Sequence, residues 1–281
     1  MQYTVLENEI ELRGISDFDP VKIFESGQCF RWNPAPDGSW TGVAKGIAAS
    51  VRSEDGAVYI SGTEDDFKNV WYDYFDLGRD YASIRERVST DPYTTEAAEY
   101  GKGIRILAQD RWEALCSFII SQCNNIPRIK KIIEALCALC GDEIEFRGGK
   151  YYSFPSAETL SEMNPEDLAP IRSGYRAPYI ISAAKSVVSG ETDLEALSKL
   201  DCPSAVKELR RLPGIGEKVA NCAVLYGLRI PTAFPVDVWI KRALDEHYPP
   251  GFDPSVFGDA AGLAQQYIYY YIRSANTASG H

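Results

Sequence analysis

From Trp112 onward the apolar positions recur at helical spacing. Trp112, Leu115, Cys116 and Ile119 fall at i, i+3, i+4 and i+7, and the run stops at Ser121-Gln122-Cys123-Asn124-Asn125. Pro127 suits the first turn of the next helix. Its apolar stripe (Ile129, Ile132, Ile133, Leu136, Cys137, Cys140) is closed by Gly141. The same reading predicts helices around 157–172, 177–189, 192–200, 203–211, 217–228, 238–247 and 255–273, with Ser274 to His281 frayed. Before residue 105 the pattern differs. Cys29–Trp32, Ser39–Val43, Ala48–Val51 and Ala57–Ile60 are short and rich in aromatic or branched residues. Asp37-Gly38 and Asp55-Gly56 supply hairpin turns between them, and Tyr72 to Phe75 opens a mixed linker rich in Asp and Tyr. The chain therefore reads as α+β: an N-terminal antiparallel β-rich domain over 1–105, then an all-α domain over 106–281. There is no internal repeat.

Composition agrees with a folded core. Of 281 residues, 45% are hydrophobic and 25% charged, as in soluble globular proteins. No apolar run is long enough to span a bilayer, so no membrane partner is expected. The start, Met1-Gln2-Tyr3-Thr4-Val5-Leu6, has neither a basic n-region nor an apolar h-region. The expectation is a cytoplasmic, monomeric protein without a secretion signal.

A net charge of −11 argues against a generic nucleic-acid binder. The distribution changes that picture. Residues 203–242 carry seven basic groups (Lys207, Arg210, Arg211, Lys218, Arg229, Lys241, Arg242) against Glu208, Glu217 and Asp237, a net +4 that leaves −15 elsewhere. An acidic body with a basic working face would bind DNA through that face, in a salt-dependent way. The seven cysteines form no disulfide framework, and Cys137 and Cys140 lie on an apolar stripe. With only His247 and His281 as histidines, a tetrahedral zinc site lacks ligands, so no metal is expected.

The chemistry concentrates in Leu212-Pro213-Gly214-Ile215-Gly216-Glu217-Lys218 and, nineteen residues after the lysine, Asp237. Apolar spacing before and after the first segment makes it a tight turn between two helices. Gly214 and Gly216 leave backbone N–H groups unobstructed at a helix N-terminus, which suits a phosphate. Lys218 falls in the first turn of the second helix. Asp237 precedes another helical run and can cap its free N–H groups. A lysine after a turn is commonly a solvated charge and an aspartate before a helix commonly a cap; the conjunction is far more specific than its parts.

Together these residues resemble the helix-hairpin-helix glycosylase motif, and a lysine at this position marks members that also cleave the DNA backbone. Further segments are similar to the bifunctional 8-oxoguanine DNA glycosylase family: Ser26-Gly27-Gln28-Cys29-Phe30-Arg31-Trp32, Ser121 to Arg128, Gly174-Tyr175-Arg176-Ala177 and Gly262-Leu263-Ala264-Gln265. The matches span about 24–273, nearly the whole chain. No cysteine follows Cys222, which excludes the C-terminal iron–sulfur loop of related endonuclease-III-type and adenine glycosylases.

The resemblance implies roles. Lys218 would attack C1′ of the damaged nucleotide, and Asp237 would stabilise the positive charge developing on the sugar. Gly27 would offer its carbonyl to the N7 hydrogen that 8-oxoguanine has and guanine lacks. Cys222 and Tyr269 would sandwich the extruded base while Gln265 reads its Watson–Crick edge. Of Tyr267, Tyr269, Tyr270 and Tyr271, the other three are expected in ordinary helix packing. Asn124, Asn125, Tyr175 and Arg176 would fill the gap left in the duplex, and Arg128 and Arg176 would donate to the estranged cytosine. Gly214 and Gly216 would hold DNA phosphate. Two positions depart from the family pattern. Cys123 stands where asparagine is common, and Trp239 where some members have histidine, leaving an indole N–H or packing there. No cofactor is implied, and the partner is duplex DNA containing 8-oxoguanine. The alternatives are a lyase for oxidised pyrimidines, disfavoured by the Gly27 block, and a non-catalytic DNA-binding module, which would need neither Lys218 nor Asp237.

Overall fold

A computed structural model describes residues 1–278, with side chains as far as Ala275. Two strands that the alternation did not signal, β1 (Gln2–Val5) and β2 (Glu9–Arg13), start the chain. Helix α1 (Pro20–Glu25) follows, opened by Asp19, whose carboxylate accepts from the N–H groups of Val21 and Lys22, and by Pro20 in its first turn. Then come β3 (Trp32–Pro34), β4 (Trp40–Ala44), β5 (Ile47–Glu54) and β6 (Ala57–Ser61). The expected strand at Cys29–Trp32 begins only at Trp32; Cys29 and Phe30 are buried in irregular chain instead. The sheet is antiparallel throughout, in the order β1-β2-β6-β5-β4-β3. Its register lines up Trp40, Val51, Ile60 and Ile10 in one inward row. α1 and a helical stretch, α2 (Glu64–Asp66), a π-turn (Phe67–Trp71) and α3 (Tyr72–Tyr74), cover that face, so Tyr72–Tyr74 is helix rather than linker. Phe24 stacks on Trp32 with ring centroids 4.4 Å apart.

Two more unexpected helices, α4 (Tyr81–Val88) and α5 (Pro92–Tyr100), precede α6 (Arg111–Ser121) and α7 (Ile126–Cys140). A hairpin, β7 (Glu143–Phe146) and β8 (Gly149–Tyr152), turns at Arg147-Gly148, both at positive φ. The expected helix 157–172 splits into α8 (Ala157–Ser161) and a 3₁₀ segment (Pro165–Ile171), because Asn164-Pro165 starts a new cap. α9 (Ala177–Val188), α10 (Leu194–Leu197), α11 (Cys202–Leu209), α12 (Glu217–Tyr226) and α13 (Val238–His247) follow close to expectation, with α10 shorter. After a 3₁₀ segment (Pro254–Ala260), α14 runs Ala261–Ala278. Ser274 to Ala278 thus continue the helix, and the rest of the expected frayed end, 279–281, lies outside the described residues.

Three hydrophobic clusters result. One lies between the sheet and its covering helices, one among α6 to α12, and one joins α4 and α5 to α13 and α14. The extended segment Ile104–Leu107 touches all three: Ile104 belongs to the third, Ile106 packs on the first and third, and Leu107 belongs to the sheet's. Each cluster holds one wall of the site.

Candidate active site

The helical hairpin of α11 and α12 has the predicted geometry. Leu212 and Ile215 are buried beneath the turn, and Gly214 adopts φ +77°. A β-carbon there would stand 2.3 Å from the Tyr179 ring, so glycine is required for conformation and for space alike. Gly216 differs. Its φ is −86° and nothing lies near its missing β-carbon. It is the N-cap of α12 and has no side chain to cap with, which leaves the first N–H groups of α12 open to an external acceptor.

Lys218, in that first turn, reaches into a cleft lined by Gly27, Cys222, Asp237, Gln265 and Tyr269. All six sequence-derived base-pocket and catalytic positions therefore converge. The Lys218 ammonium lies 5.6 Å over the ring of Phe118, and its charge bears on the Cys222 thiol one turn along α12. Burial pushes that thiol up to about 11. Asp237 is the N-cap of α13: its Oδ1 accepts from Trp239 N at 3.0 Å and Ile240 N at 2.9 Å. One carboxylate oxygen is thus spent on the cap. Trp239 itself is half-buried and packs against the third cluster.

Gly27 stands at φ +77° just past α1, facing Tyr269. Its neighbours clamp it. The Gln28 side chain, fully buried, donates to the carbonyls of Ile23 and Arg105 and to Ser26 Oγ, and accepts from Leu107 N. Tyr269 is half-buried beside Arg273, which donates to the Glu25 carbonyl. Tyr267 is 1% exposed in the core, while Tyr270 and Tyr271 pack against the third cluster, as expected for the three packing tyrosines. The cleft is small. Its volume is about 50 Å³, room for only a few waters at about 10–15 Å³ each.

The remaining predicted residues form a second group. The Arg176 guanidinium is buried and donates to the carbonyls of Ser173, Gln122 and Cys123, binding the 173–176 turn to the loop after α6. Asn125 caps α7 by accepting from Arg128 N, and Asn124 donates to the Ile120 carbonyl. Cys123, at φ +47°, Tyr175 and Arg128 are exposed. Helix α6 links the groups, since it carries Phe118 under Lys218 and ends at this loop. Phe118 was not singled out by the sequence reading. It sits among apolar stripe residues, and nothing in its spacing sets it apart.

Comparison with known proteins bears on the family and the fold. Residues 12–115 fit the family model described as 8-oxoguanine DNA glycosylase, N-terminal domain, and residues 116–254 that of the HhH-GPD superfamily base excision DNA repair protein. The chain is 32% identical to the N-glycosylase/DNA lyase of Saccharomyces cerevisiae, over 81% of this chain and 68% of that one. A DNA-3-methyladenine glycosylase of Bacillus subtilis is 34% identical, over 59% of this chain but only 55% of its own length. Among solved structures, the 8-oxoguanine glycosylase/lyase of Clostridium acetobutylicum, in complex with DNA containing cytosine opposite 8-oxoguanine, superposes with a TM-score of 0.92 at 35% identity. That match covers 98% of this chain and 99% of the other. With both halves of the fold and the full length of a solved relative accounted for, the chain belongs to the 8-oxoguanine DNA glycosylase family of helix-hairpin-helix base excision repair proteins.

Proposed function

We propose that this protein excises 8-oxoguanine from duplex DNA and then cleaves the strand at the resulting abasic site. The observation that carries this reading is the convergence of Lys218, Asp237, Cys222, Gly27, Gln265 and Tyr269 on one cleft. The open N-terminus of α12 takes a DNA phosphate. The damaged nucleotide swings out of the stack, at a cost of a few kcal/mol, into the cleft between Cys222 and Tyr269. Gly27 accepts from its N7–H. Against guanine the same buried carbonyl faces a lone pair and stays unsatisfied, a penalty of about 1–3 kcal/mol.

The Lys218 amine adds to C1′ as the base leaves. The free oxygen and negative charge of Asp237 favour the cationic sugar. The iminium that follows acidifies the C2′ hydrogens and permits β-elimination of the 3′ phosphate. On the opposite strand, exposed Cys123, Tyr175 and Arg128 enter the gap, while Arg176, Asn124 and Asn125 hold the two turns in place. Arg128 donates to the acceptors of the estranged cytosine.

The test uses duplexes carrying 8-oxoguanine, thymine glycol or an abasic site. Borohydride is expected to trap a covalent adduct on the 8-oxoguanine duplex. Lys218→Gln is expected to abolish trapping while still binding DNA. An undiminished adduct in that variant would remove Lys218 from the mechanism, and preference for thymine glycol would favour the pyrimidine lyase reading.

A further inference from the structure

Two buried side chains, Tyr226 in the cleft wall and Gln266 behind it, are joined to the groups proposed to face the base. Gln266 is fully buried; its Nε2 donates to the Ser26 carbonyl at 2.6 Å and its Oε1 accepts from the Tyr226 hydroxyl at 2.5 Å. Tyr226 lies on α12, one turn past Cys222, with its ring stacked on Phe118 at 5.3 Å. Its hydroxyl also stands 3.3 Å from the side-chain oxygen of Gln265. A single hydrogen-bonded line thus runs from the peptide before Gly27, through Gln266 and Tyr226, to Gln265.

The direction of that line is fixed from one end. A carbonyl only accepts, so Gln266 must turn its nitrogen to Ser26 and its oxygen to Tyr226. The tyrosine has one proton, and Gln266 takes it. Only lone pairs of the hydroxyl remain for Gln265. That amide must therefore show Tyr226 its nitrogen, by a half-turn about its last bond, and show the cleft its oxygen. An oxygen in that place accepts from the N1–H and N2–H donors on the edge of a guanine-type base. It opposes the N1 lone pair of an adenine-type base. At the other end, the bond from Gln266 holds the plane of the Ser26–Gly27 peptide. With Gly27 at φ +77°, that plane decides where the Gly27 carbonyl points.

We propose that Gln266 and Tyr226 are positioning residues for base recognition, setting the donor–acceptor direction of Gln265 and the aim of the Gly27 carbonyl. This rests on the reading of the cleft as the 8-oxoguanine site. Sequence alone gave no sign of it, because the two residues are 40 positions apart and belong to no motif.

Single-turnover rates for Tyr226→Phe, Gln266→Leu and the double variant test the proposal on three duplexes, carrying 8-oxoguanine, 8-oxoadenine or a preformed abasic site. Each single variant is expected to lower the ratio of 8-oxoguanine excision to abasic-site cleavage about tenfold, and to narrow the preference for 8-oxoguanine over 8-oxoadenine. The double variant is expected to be no worse than the poorer single one, because either break interrupts the same line. Tyr226→Phe keeps the ring on Phe118, so it decides the matter even where Gln266→Leu fails to fold. Equal losses on the lesion and on the abasic site, or fully additive effects, would overturn the proposal. A wild type that cleaves abasic sites but leaves 8-oxoguanine in place would overturn the reading of the cleft, and this inference with it.

Discussion

Tyr269 closes on the bare α-carbon of Gly27: a β-carbon there would stand 3.1 Å from both the Cε1 and the hydroxyl oxygen of the tyrosine. The two residues come from opposite ends of the chain, and Tyr269 packs against the third hydrophobic cluster. Gly27→Ala therefore meets two obstacles, a crowded neighbour and a positive φ that side chains disfavour. The expected outcome is a loss of 8-oxoguanine excision at least about tenfold greater than the loss of abasic-site cleavage. Parallel single-turnover assays on the two substrates check it. Equal losses would make Gly27 a scaffold glycine.

Asp237 caps α13 and, in the proposed reaction, also supplies charge, and one substitution separates the two duties. Asparagine also caps helices well, so Asp237→Asn is expected to keep the melting temperature. Removing the charge is expected to slow single-turnover cleavage by about 10²-fold or more, in line with electrostatic stabilisation of a cationic centre. Asp237→Ala adds the loss of the cap, at about 1 kcal/mol of stability. Near-normal rates in the asparagine variant would leave Asp237 as a cap alone.

The exposed loop predicts a graded choice of opposite base. A guanidinium matches the acceptors of cytosine, whereas adenine presents a donor at N6. Cys123 brings no amide to the gap, so cytosine is expected to be favoured over adenine by less than in relatives with asparagine there. Cys123→Asn should sharpen the choice, and Arg128→Ala should blunt it by about 1–3 kcal/mol of discrimination. Excision measured opposite all four bases decides; an unchanged cytosine preference in Arg128→Ala would make that arginine a surface charge.

A buried carboxylate predicts how stability varies with pH. Glu113 on α6 is pushed up to about 7 by burial, which outweighs the opposing pull of the Arg31 guanidinium 3.6 Å away. A folded-state value above the unfolded one means that this group stabilises the fold fully below about pH 4.5, and loses that contribution as pH rises through 7. Glu113→Gln removes the titration. Relative to wild type, the variant is expected to gain about 1–3 kcal/mol in urea unfolding between about pH 5 and pH 8. A constant difference across that range would show that Glu113 is ionised throughout.

The helical half was legible because its signals are local. Apolar spacing, Pro127 and Gly141 mark α7 without reference to anything distant. The turn at Gly214 and the cap at Asp237 are likewise written in a few adjacent residues. The N-terminal half was read less well. α4 and α5 are short, and their apolar faces make sense only against α14, nearly two hundred residues away. Asp91-Pro92 was a usable start signal that the strand-rich reading passed over. For the cleft, the family blocks pointed to residues that face the base. Phe118 and Tyr226 in the cleft wall and Gln266 behind it belong to no such block, and one more buried side chain looks like any other.

The small volume of the cleft bears on selectivity in a way the contacts alone do not convey. On the proposed reading a purine does not fit the free volume of about 50 Å³ unless the cleft wall gives way, and the work of moving that wall is the same for a sound base as for a damaged one. Such a common barrier weakens every complex without ranking them; ranking comes only from interactions that differ between the candidates. That common cost therefore sets a threshold of affinity beneath which nothing stays long enough to be cut. Small differences at Gly27 and Gln265 then decide which bases clear it.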